Sequence, residues 1–222
     1  MLGRTHTVKK TDIQEGRIYN CVKERIMSRS IFPGSRIVED DLAKDFGVSR
    51  AAIRHVMTRL ENDGFVEIVP NKGAMVSKPT SEEILKVYHT RLYLELGACA
   101  LAVHNITDEA IMRMEENYAA QVKLKDSFSI ADYVELNRDF HWEIVRASNN
   151  EFYEKYLNEI YNVMHIYMIF YDYAMDNSRS LQTHRLLLNA LKERSLSKAE
   201  EALRLDNANS IAGLKIGRVC GV

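Results

Sequence analysis

Proline is nearly missing from this chain. Only Pro33, Pro70 and Pro79 occur, and between Thr80 and Ala212 there is no proline and a single glycine, Gly97. A stretch so poor in helix breakers excludes a turn-rich β architecture there and predicts long helices. Cysteine is scarce as well. Cys21, Cys99 and Cys220 are odd in number, far apart and without a CxxC pair. That excludes a disulfide framework and a thiolate metal site, and it predicts a reducing, cytoplasmic setting. No run of eighteen apolar residues occurs, so no membrane partner is expected. The segment from Met1 to Lys10 is polar and basic. It lacks the apolar stretch of a secretory signal and reads as a loose arm. No HExxH, nucleophile elbow or phosphate loop is present, nor any internal repeat.

What is present begins with the run from Leu42 to Leu60. Leu42, Ala43 and Phe46 mark the inner side of a short helix, and Gly47 can take the positive φ of a sharp turn. Ser49 suits the N-cap of a second helix. Ile53, Val56, Met57 and Leu60 then recur at i, i+3, i+4 and i+7, which turns them inward. Arg50 and Arg54 share the outward face near the start of that helix. Guanidinium groups on the first turns of a helix suit a major groove, where arginine pairs with guanine or grips phosphate. Asn62-Asp63-Gly64 stops the helix. Phe65 to Val69 alternates like a strand, Pro70-Asn71-Lys72-Gly73 turns, and Ala74-Met75-Val76 returns. This order makes a winged helix-turn-helix. Gly73 keeps the wing tip thin and Lys72 gives it charge. An earlier helix, about 12–28, carries Ile18, Val22, Arg25 and Ile26 on one face.

Charge follows the same division. Residues 1–78 hold fourteen Lys and Arg against ten Asp and Glu, whereas residues 79–222 hold sixteen against twenty-one. The local excess is what phosphate responds to. A balance of +4 suits binding by two copies of a domain better than tight binding by one. Thr80-Ser81-Glu82-Glu83, just after Pro79, has the form of a helix cap with an acidic first turn. The expected domains are therefore 1–78, with 1–10 as the arm, and 79–222.

The second domain divides into six helical segments, at about 81–104, 107–125, 130–147, 151–175, 179–194 and 197–213. Short connections make neighbours antiparallel, so a bundle is expected. Its inward stripes carry polar groups. They are Asn137 and His141 beside Val134, Ile144 and Val145; His184 beside Leu181, Leu188 and Leu191; and Asp206 beside Ala199, Ala202 and Leu203. A buried imidazole needs a partner. Two readings stay open on periodicity alone: hydrogen bonds within the core, or a shared metal. Arg91, mid-helix among Leu, Ala and Tyr, also has two readings. It can grip a carboxylate from a ligand, or it can form a salt bridge to Glu95 one turn on. The segment with Tyr161, Met164, Tyr167, Met168, Tyr171, Tyr173 and Met175 reads as core, dimer contact or cavity lining.

Taken in order, these signals resemble the GntR family of bacterial transcription regulators, in its FadR-like branch with an FCD effector domain. The resemblance rests on Val48-Ser49-Arg50-Ala51-Ala52-Ile53-Arg54, Leu60-Glu61-Asn62-Asp63-Gly64-Phe65-Val66 and Gly73-Ala74-Met75-Val76 in the first domain. In the second it rests on Arg91-Leu92-Tyr93-Leu94-Glu95, Asn137-Arg138-Asp139-Phe140-His141, Ala147-Ser148-Asn149-Asn150, and His184 before Leu187-Leu188-Asn189-Ala190-Leu191. It implies a mainly α protein: a winged helix-turn-helix with a small β-hairpin, followed by an antiparallel six-helix FCD-type bundle. Ser49, Arg50, Arg54, Lys72 and Gly73 then fall at the DNA-binding positions. The family's divalent-metal positions, one carboxylate and three histidines, fall on Asn137, His141, His184 and Asp206. Asparagine thus stands at the usual carboxylate and Asp206 at the usual last histidine, which weakens zinc in particular and leaves zinc, nickel, manganese or iron as options. Arg91 and His165 are the expected effector-binding residues, with His165 also a substitute ligand or a core residue.

The function these features imply is a ligand-responsive, cytoplasmic DNA-binding regulator that works as a homodimer on operator DNA. It is expected to be a repressor released by a small carboxylate, and not an enzyme. Two rivals are a metal-dependent enzyme fused to a winged helix, and a constitutive DNA-binding protein whose bundle only dimerises. The first lacks a recognisable group to activate water.

Overall fold

The computed structural model describes residues 10–171 and 177–214. Tyr173, Met175, Cys220 and nearly all of the expected N-terminal arm lie outside the described residues. Two compact units meet in sequence between Lys78 and Pro79.

In the first unit, α1 (Lys10–Met27), α2 (Glu39–Phe46) and α3 (Arg50–Asn62) precede a hairpin of β1 (Val66–Val69) and β2 (Gly73–Val76). Gly47 ends α2 at φ 62°, and its amide bonds to the Lys44 carbonyl. The Ser49 side chain accepts from the Ala52 amide to cap α3. The strands pair antiparallel, Val66 opposite Val76 and Val69 opposite Gly73. The hairpin begins at Val66 rather than Phe65, because the Phe65 amide is held by the Leu60 carbonyl as α3 closes. Ile18, Val22, Ile26, Ile53, Val56, Met57, Leu60, Phe65 and Val76 form the buried interior. Arg25 corrects the expected face of α1, since it is exposed. Tyr19 is buried in its stead, and its hydroxyl donates to Asp63 at 2.6 Å, tying α1 to the end of α3.

The second unit holds α4 (Ser81–Asn105), α5 (Asp108–Lys123), α6 (Ile130–Ala147), α7 (Glu151–Tyr171), α8 (Ser178–Lys192) and α9 (Leu196–Gly213). Thr80 opens α4 with a complete capping box: the Glu83 amide donates to the Thr80 hydroxyl, and the Thr80 amide to the Glu83 carboxylate. That contact holds the exposed Glu83 carboxyl below the ordinary range. Gly97 lies where α4 passes α7, and a Cβ there would meet the hydroxyl end of Tyr153, which would have to shift. Leu96, Cys99, Val103, Met114, Phe140, Ile144, Leu187, Leu188, Leu191 and Leu203 build one apolar cluster. From Met164 to Tyr171 every residue of α7 is buried, so that the C-terminal end of the helix is enclosed on all faces.

Candidate functional site

In the first unit the candidate surface is the start of α3. Arg50 and Arg54 are exposed, with side chains 71% and 75% accessible. Both project from the first two turns of α3, whereas Ile53, Val56, Met57 and Leu60 of the same helix are buried. Neither is isolated. Arg50 meets Asp40 through two contacts, Nε to Oδ1 at 2.7 Å and Nη2 to Oδ2 at 2.8 Å. Arg54 lies 3.7 Å from Glu39. Ser49 is exposed beside them, with its hydroxyl engaged as the cap. At the hairpin tip, Gly73 has φ 82° and Lys72 is exposed. Positive φ explains the glycine, since nothing stands within 4 Å of where its Cβ would be.

In the second unit four helices bring ionisable groups to one buried point. The inner stripe of α4 runs Ile84, Tyr88, Arg91, Glu95, Ala98 and Ala102, so Arg91 and Glu95 face inward together. Arg91 is 2% and Glu95 3% exposed, and Arg91 Nε donates to Glu95 Oε1 at 2.8 Å. Arg91 Nη2 also donates to Asp206 Oδ2 of α9 at 3.0 Å. The salt-bridge reading of Arg91 therefore describes this geometry, with a second carboxylate added. Burial opposes its charge, but Glu95 and Asp206 outweigh that and raise its pKa further.

His141 on α6 and His184 on α8 face each other, Nε2 to Nε2, at 3.2 Å. Their tautomers follow from what lies behind them. Gln121 Nε2 donates to Asn117 Oδ1, so Gln121 Oε1 is turned toward His184 Nδ1 at 2.8 Å and accepts its proton. His141 Nδ1 lies 3.5 Å from Glu95 Oε1. His184 thus has an acceptor behind Nδ1, which turns its Nε2 lone pair toward the common point. Arg91 Nη2 is 3.0 Å from His141 Nε2 and 3.4 Å from Nδ1. Since a guanidinium only donates, a ring nitrogen of His141 is its acceptor. Asp206 completes the set: Oδ2 is 3.5 Å from His141 Nε2, and Oδ1 is 3.8 Å from His184 Nε2. The Thr183 hydroxyl donates to Oδ1 at 2.7 Å, which fixes the carboxylate.

Burial drives the His184 pKa down to about 3, against the pull of Asp206, and lowers that of His141 as well. Both imidazoles are neutral near pH 7. Burial alone would raise the Asp206 carboxyl; the positive field of its neighbours, Arg91 among them, prevails and holds it low. The Tyr161 hydroxyl donates to Glu95 Oε1 at 2.5 Å, and burial beside that carboxylate keeps the phenol protonated.

This donor set fits a divalent ion. Two imidazole nitrogens and a carboxylate, all within 4.8 Å of one another, are the only such trio among the described residues. Bonds of about 2.1 Å to one ion put donors about 3.3 Å apart, close to the spacings seen. Asn137 is buried one turn before His141 on the same helix. His165 is buried in α7 and is not part of the trio. Sequence reading passed over Gln121 and Thr183 as site residues, placed Tyr161 only in a segment of core, dimer contact or cavity lining, and took Glu95 only as a partner for Arg91. A glutamine one turn after Asn117 near the end of α5 and a threonine beside His184 were the available signals.

A basic-faced recognition helix with a β-hairpin wing, followed in the chain by a six-helix bundle with a polar heart, defines a DNA-binding regulator with a helical C-terminal domain. Residues 14–76 match the bacterial regulatory proteins of the gntR family, and residues 86–206 match the FCD domain. The chain belongs to the GntR family of bacterial transcription regulators, in the group with a C-terminal FCD domain. It is 28% identical over 188 residues to the HTH-type transcriptional regulator YdhC of Bacillus subtilis, covering 83% of this chain and 84% of that one. It is 22% identical over 188 residues to the HTH-type transcriptional repressor RspR of Escherichia coli, covering 84% and 82%. Among solved structures, E. coli McbR/YncC shares the fold with a TM-score of 0.75 at 21% identity, over 90% of this chain and 95% of that one. A GntR regulator from Rhodococcus does so with a TM-score of 0.74 at 20% identity, over 90% and 96%. No described helix is long and apolar enough to cross a membrane.

Proposed function

We propose that this regulator is a cytoplasmic homodimeric repressor whose bundle binds a small carboxylate with a divalent ion, and that binding releases operator DNA. The observation that carries the ligand reading is the facing pair of imidazole Nε2 atoms beside Asp206, with Gln121 accepting behind His184 and Glu95 lying 3.5 Å behind His141. Glu95, Asp206 and Arg91 sum to one negative charge when the imidazoles are neutral. That balance resists a free carboxylate but leaves room for a cation. Zinc, nickel, manganese or iron on His141, His184 and Asp206, with Asn137 adjacent, would supply a Lewis-acidic anchor for an anion. Arg91 and His165 are the protein groups we assign to hold the effector around it.

Repression is the reading favoured by the relative named a repressor. Dimerisation is supported by exposed apolar residues of the bundle, Tyr93 and Leu101 on α4 and Phe152 and Tyr156 on α7, which a second copy would cover. A two-fold dimer presents two α3 helices to a pseudo-palindromic site. Effector then acts by the difference in its affinity for the two placements of the heads.

The test is a melting-temperature screen of wild type and His184→Ala with divalent ions, alone and with small carboxylates. An ion-dependent rise with wild type, absent in the variant, is expected. Equal rises in both proteins reject the site. For the head, Arg50→Ala and Arg54→Ala are each expected to abolish sequence-specific gel shifts while the dimer stays folded. Retained specific binding in both defeats the assignment of these residues.

A further inference from the structure

Three carboxylates, Glu39, Asp40 and Asp41, form the first turn of α2. Asp40 and Glu39 lie against the two arginines assigned to DNA. Negative charge on a DNA-facing surface weakens phosphate binding, so its placement calls for a reason. The N-terminal dipole of α2 gives one, since it favours acids in that turn. It does not account for the geometry at Arg50.

Asp40 takes hold of Arg50 through the Nε and Nη2 side of the guanidinium, at 2.7 and 2.8 Å. A guanidinium carries five N–H donors in a rigid plane. Those two contacts use the Nε hydrogen and one Nη2 hydrogen. The remaining Nη2 hydrogen and the Nη1 pair lie along the end of the group, the edge that matches guanine O6 and N7. The carboxylate therefore sets the plane and direction of the group while leaving its base-reading edge clear. The pair is half exposed, 71% for the Arg50 side chain and 48% for Asp40, so water or DNA reaches that edge. Arg54 and Glu39, at 3.7 Å, are not held in this two-point manner.

We infer that Asp40 is a specificity-determining residue: it pre-orients Arg50 for the Hoogsteen edge of a guanine and, by its charge, disfavours use of Arg50 on phosphate alone. This rests on the reading of Arg50 as a DNA contact. A side chain aimed in advance loses less freedom on docking than one that swings freely. A phosphate makes no use of that aim and meets the carboxylate's repulsion. Asp40 thus shifts Arg50 from general affinity toward base choice. Its role is positional, and it touches DNA only through Arg50.

The experiment uses the full-length protein and a pool of duplexes with randomised centres, selected for binding by wild type, Asp40→Ala, Asp40→Asn and Arg50→Ala. Base preference is read position by position, and affinity for a non-selected duplex is measured beside it. Wild type is expected to prefer guanine at one position of each half-site, and Arg50→Ala to lose that preference. Asp40→Ala is expected to lower the same preference by up to about tenfold, short of the loss in Arg50→Ala, while other positions keep theirs. Binding of the non-selected duplex should tighten at low salt. Asp40→Asn removes the charge with little change of shape, so it should follow Asp40→Ala and guards against a folding artefact. Unchanged guanine preference in both Asp40 variants, with Arg50→Ala defective, overturns this inference alone. Unchanged preference in Arg50→Ala overturns the DNA-contact assignment and this inference with it.

Discussion

Arg50 and Arg91 each sit against carboxylates, yet they lie in opposite surroundings. Arg50 pairs with Asp40 in water, whereas Arg91 pairs with Glu95 and Asp206 at 2–3% exposure. An exposed ion pair contributes about 0–1 kcal/mol, so its members can change partners readily. A buried one is held by the desolvation that separation would leave uncompensated. The same chemistry therefore gives an exchangeable contact in the head and a fixed one in the bundle. Arg50 can trade Asp40 for a base edge. Arg91 holds α4 to α9 and shapes the field around two neutral imidazoles.

The sharpest way to break this comparison is to remove Arg91. Arg91→Met leaves Glu95 and Asp206 buried without their cation, and it is expected to cost about 3–5 kcal/mol. Urea unfolding monitored by circular dichroism measures it. A loss under 1 kcal/mol would place Arg91 in the same class as Arg50.

The second test uses protons. The His184 pKa is depressed to about 3, and that of His141 is lowered too, mainly by burial. In the unfolded chain both titrate near 6.5. Between these values the unfolded state binds protons that the folded state refuses. Stability is therefore highest above pH 6.5 and falls as pH drops toward 3. The slope for each such group approaches about 1.4 kcal/mol per pH unit. Melting of chelator-treated protein between pH 7.5 and 5 should show this decline, and His184→Gln should reduce it. A melting temperature that is flat across this range refutes neutral burial.

A smaller effect is expected at the mouth of α4. Thr80→Ala removes the oxygen that caps the Glu83 amide and should cost about 1 kcal/mol in urea unfolding. Ser49→Ala, at the cap of α3, makes a matched probe of the other unit.

Much of this architecture is legible in one dimension because helices advertise their faces. The bounds of α6, Ile130 and Ala147, follow from Ser129, an apolar period and Ser148-Asn149-Asn150. Gly47, Ser49 and Gly64 punctuate the head in the same way. The inward stripes also place His141, His184 and Asp206 on buried faces. Periodicity gives a direction, however, and not the neighbour found in that direction. That Gln121 lies behind His184, or that Tyr161 reaches Glu95 across sixty-six positions, depends on how four helices are rotated against one another. Arg25 illustrates the opposite error. It fits the apolar period of α1 by count, yet the buried face runs through Ile18, Tyr19, Val22 and Ile26, where the Tyr19 hydroxyl finds Asp63. Likewise the grip of Asp40 on Arg50 spans a turn whose angle the sequence does not specify.

The smallest expected effect sharpens the contrast most. Arg50→Ala should change stability by less than about 0.5 kcal/mol, since both members of its pair are solvated and its side chain packs into no core. Freed Asp40 stays hydrated and remains favourable at the N-terminus of α2, so no charge is stranded. The same substitution should abolish sequence-specific DNA binding. Thermal unfolding and gel shift on one preparation separate the two outcomes. A stability loss near that of Arg91→Met would mean that Asp40 and Arg50 hold α2 against α3, and that the head spends this arginine on its own fold rather than on DNA.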